Sequence, residues 1–207
     1  MDSPGGNVAD RDRRLLEVLD RGFDRVRRRA GEHLRCAVGC SDCCSGPFPV
    51  TRLDVWRLRR GLDEADPELR NAIATAASRA VEVLRDGFPG DAESGRLTED
   101  EPALDRFFVR HASLPCPVLD LESGACRLWE HRPVACRTYG PPLAFDTRDA
   151  PHCKLCFTQA TPRTIEACRW SPDRDGLEQV AMREFGVEPG SNWETLIAHA
   201  LHDEVSR

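Results

Sequence analysis

Apolar positions in this chain recur at helical spacing, interrupted by loops dense in glycine, proline and cysteine. Over residues 10–34, Leu15, Leu16, Val18, Leu19, Phe23 and Val26 form an apolar stripe among arginines and acids, which predicts an amphipathic helix. Residues 1–9 lack that pattern and are expected to be disordered. Thr51 followed by Asp54 resembles a capping box opening a short helix with Leu53, Val55, Trp56 and Leu58 as its apolar contacts. Pro67 opens a helix over 67–86, with Leu69, Ile73, Ala76, Ala77, Ala80, Val81 and Leu84 near one face. Residues 87–102, with three glycines and two prolines, are expected to be an exposed linker.

The second half has weaker periodicity. The run 115–129, with Glu122-Ser123-Gly124 at its centre, predicts a short β-hairpin that brings Cys126 back toward Cys116. Pro133 suits the first turn of a short helix carrying Cys136, and Gly140-Pro141-Pro142 ends it. Residues 141–170 are expected to be loop. Two helices close the chain. One starts at Ser171-Pro172-Asp173 and runs to about Phe185, and the other starts at a capping box, Ser191-Asn192-Trp193-Glu194. The expected class is mostly α: an irregular cysteine-rich domain over 10–170, with one hairpin and flanking helices, and a C-terminal helical pair over 171–207 packed on it.

Composition narrows the function. The chain has 207 residues, enough for a real core, but 6% of them are aromatic and 31% charged, so that core is modest. The formal charge of −6 disfavours a dedicated nucleic-acid binder. Arg25, Arg27, Arg28 and Arg29 make a basic run, but Asp20, Asp24 and Glu32 interleave with it, which marks a solvated face. No stretch approaches the roughly 18 apolar residues of a membrane span, and residues 1–14 have no apolar signal core. A cytoplasmic, reducing location is expected, where clustered cysteines serve as metal ligands rather than as disulfides.

The chemistry is carried by ten cysteines. Cys36, Cys40, Cys43 and Cys44 fall within nine residues as Cys-x3-Cys-x2-Cys-Cys, and Cys116, Cys126, Cys136, Cys153, Cys156 and Cys168 follow. Thiolates at such spacings can converge on zinc or on an iron–sulfur cluster. Cys36, Cys40 and Cys43 match the spacing used by radical S-adenosylmethionine enzymes. A helix precedes the block here, however, and no strand–helix alternation follows, which argues against that barrel. Successive side chains diverge, so Cys44 is expected to serve a second centre or to be a spare buried thiol beside Cys43. Ten thiols suffice for two four-thiolate sites with two left over. His33 and His152 lie near cysteines and are secondary ligand candidates, whereas His199 and His202 are expected to face solvent. Zincin, P-loop, dinucleotide-binding and nucleophile-elbow motifs are absent.

The first block, Pro115-Cys116-Pro117-Val118-Leu119, and the run from Cys126 through Arg132-Pro133-Val134-Ala135-Cys136-Arg137 together resemble the YkgJ-type cysteine-cluster family. That family is described as a zinc- or iron-chelating CxxCxxCC domain. The likeness covers roughly residues 33–140. Three features depart from the pattern: the first spacing is x3, Trp129 stands where tyrosine is usual, and three downstream cysteines compete for one expected position. The resemblance implies that Cys36, Cys40, Cys43, Cys44, Cys116, Cys126 and Cys136 are metal ligands, with Cys156 and Cys168 as downstream candidates. It implies no reaction.

Arg132 and Arg137 are expected to pair with carboxylates while offsetting thiolate charge. The cofactor expected is an iron–sulfur cluster, a [4Fe–4S] cluster foremost, slightly ahead of zinc. The favoured role is a non-catalytic metal-binding protein with an unidentified protein or small-molecule partner. The alternatives are a cluster-dependent transferase or redox enzyme, and a structural zinc interaction module.

Overall fold

A computed structural model describes residues 6–144, 149, 150, 152–173, 175–185 and 193–202. Eight α-helices run through the described residues. They are α1 (Gly6–Ala30), α2 (Arg52–Glu64), α3 (Pro67–Leu84), α4 (Glu101–Arg110), α5 (Val134–Thr138), α6 (Pro162–Ala167), α7 (Leu177–Glu184) and α8 (Ile197–Leu201). Six two-residue strands, β1 (Pro49–Val50), β2 (Gly90–Asp91), β3 (Arg96–Leu97), β4 (Leu143–Ala144), β5 (Asp149–Ala150) and β6 (Thr195–Leu196), pair two by two. With 54% of the described residues helical, the mostly-α class holds. No helix of the described residues is long and apolar enough to cross a membrane.

The chain divides into two compact units, and the division falls inside the first cysteine block. One unit comprises Ser41–Pro133 and Glu188–Arg207, and the other comprises Asp2–Cys40 and Val134–Val187.

In the unit built on residues 41–133, helices α2 and α3 both pack on α8. The Thr51 side chain accepts the Asp54 N–H while the Asp54 carboxylate accepts the Thr51 N–H, completing the capping box that opens α2. The same carboxylate holds the buried Arg57 guanidinium, so one acid both starts the helix and neutralises a charge in the core. Pro49 and Val50 pair antiparallel with Leu196 and Thr195. Residues 87–102 are not the exposed linker expected from their glycines. Strands β2 and β3 form a hairpin there, Leu97 is buried, and α4 starts at Glu101 with Asp100 as its cap. Phe107 of α4 joins Ala80, Val81, Leu84, Leu97, Leu196 and Ala198 in one apolar cluster. The predicted hairpin near Cys126 is present in reduced form, with a single bridge between Leu119 and Cys126 around the turn.

In the other unit, α1 packs on α5 and α7. Val8, Leu15, Leu19, Val26 and Ala30 recur at helical spacing and are all buried. The helix already covers residues 6–9, part of the stretch expected to be disordered, and residues 1–5 lie outside the described set. It ends at Ala30, and Gly31–His33 forms a tighter 3-10 turn. Gly22 leaves room for the Trp170 indole, whose ring atoms would lie 2.5 Å from a β-carbon there. Residues 141–170 hold β4 and α6 besides loop. Asp173 lies before α7, and its carboxylate accepts the N–H groups of Leu177 and Glu178. The proposed capping box falls partly on Ser191 and Asn192, which lie outside the described residues, and α8 starts later, at Ile197.

His199 does not face solvent. It is 3% exposed, its ring tilted at 50° against Phe88 and set close to Gly95. Burial first, then His202 and Arg85, push its pKa from 6.5 down to about 4. Between those values the unfolded chain binds a proton that the folded chain refuses, so folding stability falls as pH drops from 6.5 toward 4. Denaturant midpoints of wild type and His199→Gln across that range should converge as pH falls, because only the wild type carries this penalty. Parallel curves would contradict the burial account.

Candidate metal centre

Cys36 leaves the end of α1 in an extended segment anchored by Arg27, whose Nη2 donates to the Cys36 carbonyl at 3.0 Å. The thiol lies 3.9 Å from Cys156 Sγ and 3.8 Å from the Tyr139 carbonyl. Gly140, next in the chain, has φ +131°, and a β-carbon there would sit 2.6 Å from Cys36 Sγ. Only glycine gives the sulfur this position. The Cys153 N–H donates to the Gly140 carbonyl, and the Cys156 N–H donates to Cys153, so a tight turn brings the Cys153-x2-Cys156 pair onto the same spot. Phe157 follows in a left-handed conformation, φ 57°, with its N–H on the His33 carbonyl. Cys40 sits at the end of a turn through Gly39, with its N–H on Ala37. Burial first, then Cys156, Cys153 and Cys40, push the Cys36 thiol up to about 12. The thiols of Cys40, Cys153 and Cys156 therefore all lie within electrostatic reach of Cys36.

A second group forms in the unit built on residues 41–133. Cys43 and Cys44 sit in a 3-10 turn, Asp42–Cys44. The Cys116 N–H donates to the Cys44 carbonyl at 2.8 Å, and Ser45 bridges Pro115. Gly46, with φ +84°, makes the close approach to Ala112 that this pairing needs. The turn after Cys116 and the bridge from Leu119 to Cys126 return Cys126 to the same region. Adjacent Cys43 and Cys44 were expected to diverge, yet their thiols share a hydrogen bond, because the tight turn folds neighbouring side chains together. That hydrogen bond first, and burial second, raise the Cys43 thiol well above its ordinary range. Burial pushes Cys116 up to about 12, with Cys126 and Cys43 adding to it and the Val118 N–H opposing it.

The other predicted residues have surroundings of their own. Cys136 is half-buried on α5, and Cys168 is buried just after α6, where burial raises its thiol and Arg29 opposes the rise. Arg29 also donates to the Ala167 carbonyl at 2.7 Å, so the basic run is partly spent on anchoring this turn. Arg137 pairs with both Asp20 oxygens at 2.9 and 3.0 Å, and Arg132 lies 3.4 Å over the Trp129 ring. His33 and His152 both pack on Phe157, stacked at 6.2 Å and edge-on at 5.3 Å. Cys153, one of the three downstream cysteines but not one of the two favoured, stands in the same turn as Cys156 beside Cys36, and the Cys-x2-Cys spacing is the signal that pairs them.

None of the ten cysteines forms a disulfide. Among the described residues no three histidine, cysteine, aspartate or glutamate side chains already stand in a ring that could hold a metal ion. The donor chemistry nevertheless fits a soft cation. Zinc with sulfur ligands at about 2.3 Å in a tetrahedron sets neighbouring sulfurs about 3.8 Å apart. The Cys36–Cys156 separation of 3.9 Å is already that of one tetrahedron edge. Ionising these thiols and turning them inward closes each group only if a cation offsets the gathered charge.

A family model described as CxxCxxCC, a zinc- or iron-chelating domain, matches residues 35–156, more than half of the chain. No curated protein and no solved structure matches the chain.

Gly140→Ala should displace Cys36 Sγ and lower metal content, since the new β-carbon would stand 2.6 Å from the sulfur. Gly176→Ala is the control. It shares a positive φ, +66°, but nothing lies within 4 Å, so it should cost about 1 kcal/mol of backbone strain and keep its metal. Metal analysis and thermal unfolding of the two variants check this, and equal metal content in both would contradict it.

Proposed function

We propose that this chain, which belongs to the CxxCxxCC family of zinc- or iron-chelating domains, is a thiolate metal protein whose metal is structural. The observation that carries this reading is the 3.9 Å contact between Cys36 and Cys156, thiols from segments 120 residues apart. Cysteines gathered from segments this far apart match the soft-donor set of a zinc site, where each deprotonated sulfur neutralises part of the metal's charge.

Zinc is favoured over a cluster on geometry. A single ion holds its sulfurs at the separation seen for Cys36 and Cys156. In a cubane each thiolate sits on a different iron, which spreads the sulfurs further apart. The second reading, an iron–sulfur protein, is favoured by the Cys36-x3-Cys40-x2-Cys43 spacing and by the excess of thiols over histidines.

A structural role is favoured by the surroundings. Cys153, Cys156 and Cys168 are buried with Val26, Ala30, Leu34 and Phe157 in one apolar cluster. The pocket lined by Cys116, Phe48, Leu84 and Leu114 has room for a water molecule, about 20 Å³. A catalytic metal keeps an open position that a substrate can reach. Reduced thiols and the −6 charge favour a reducing compartment and a protein or small-molecule partner over nucleic acid.

Purification without oxygen, followed by elemental analysis, optical spectra and thiol counting, tests the assignment. The expected protein is colourless, carries zinc, and shows most thiols unreactive until a chelator is added. Chelation should then unfold it, since structural zinc contributes on the order of 10–16 kcal/mol in small peptides. A brown protein with iron and equal acid-labile sulfide would move the assignment to a cluster. A metal-free protein that stays folded with all ten thiols reactive would overturn both readings.

A further inference from the structure

We infer that the nine-residue cysteine block is divided between two metal centres: Cys36 and Cys40 act with Cys153 and Cys156, while Cys43 and Cys44 act with Cys116 and Cys126. The inference rests on the thiolate–metal reading above and fixes its stoichiometry and ligand sets.

Backbone contacts join the segments that carry each set, with Cys40 held in the turn that follows Cys36. Gly140 binds the two halves of the first set: its carbonyl takes the Cys153 N–H, and its missing side chain admits the Cys36 sulfur. The Cys153–Cys156 turn then delivers Cys156 to 3.9 Å from Cys36. In the second set, the Cys116 N–H on the Cys44 carbonyl and the Ser45–Pro115 bridge join the block to the 115–127 turn. The Leu119–Cys126 bridge brings the fourth cysteine back. The boundary between the two compact units falls between Cys40 and Ser41, so each set lies wholly within one unit.

The division assigns eight cysteines and gives Cys136 and Cys168 no ligand role. The family resemblance had counted Cys136 among the ligands. The chemistry balances at each centre: one Zn²⁺ replaces four thiol protons, which leave to solvent, and the site gains a charge of −2. Two filled centres would take the chain from −6 to about −10.

The test counts zinc per chain in the full-length protein by native mass spectrometry. Wild type should carry two ions. Cys36→Ser with Cys156→Ser should carry one, as should Cys116→Ser with Cys126→Ser, while Cys136→Ala and Cys168→Ala each keep two. A second measurement on wild type alone guards against variants that fail to fold. At one equivalent of zinc, alkylation with peptide mapping should show Cys36, Cys40, Cys153 and Cys156 protected as one group, and Cys43, Cys44, Cys116 and Cys126 as another. One ion in wild type, or a protected group that mixes Cys36 with Cys116, overturns the division and leaves the chelator reading intact. No ion in wild type overturns the chelator reading itself.

Discussion

Thiols brought to within 4 Å of each other cannot all ionise unless a cation sits among them. That constraint organises the structure around Cys36. Its thiol meets Cys156 at 3.9 Å, and its proton is held up to about pH 12 by burial and by the sulfurs around it. In water the repulsion would be screened, but beside Phe157 and Leu34 the low local polarity strengthens it. Such an arrangement is a poor resting place for free thiolates and a good one for a soft metal ion. The local backbone serves the same end, because Gly140 removes the side chain that would push Cys36 away.

The helices supply the frame that makes this placement reproducible. On α1, one face buries Leu15, Leu19, Val26 and Ala30, while Arg25, Arg27, Arg28 and Arg29 are exposed. Two of those arginines reach past the helix end, Arg27 to the Cys36 carbonyl and Arg29 to the Ala167 carbonyl. A run that reads as a solvated basic face thus satisfies carbonyls in the irregular segments that carry cysteines. The Arg137–Asp20 pair fixes α5 on α1 and leaves that guanidinium committed to a carboxylate.

Much of the helical frame was legible in the sequence because local rules decide it. The α1 stripe, the Thr51–Asp54 capping box and the proline before α5 are each set by residues within one or two turns. Helices α4 and α6 were missed for a local reason too. Asp100-Glu101-Pro102 and Thr161-Pro162 are helix starts, but each adjoins a glycine- or cysteine-rich stretch that reads as loop. The grouping of the cysteines was not legible, because spacing along a chain says nothing about which distant segments meet. Cys153 and Cys156 reach Cys36 through a carbonyl on Gly140, and nothing near Cys36 in the sequence announces that contact. His199 was misplaced for the same reason: the Phe88 ring that covers it comes from a segment more than a hundred positions earlier.

X-ray absorption at the edge of the bound metal, on protein purified without oxygen, tests the central claim most directly. The account predicts a shell of four sulfurs at about 2.3 Å, with no nitrogen or oxygen neighbours. A shell containing nitrogen or oxygen, or fewer than four sulfurs, would contradict it.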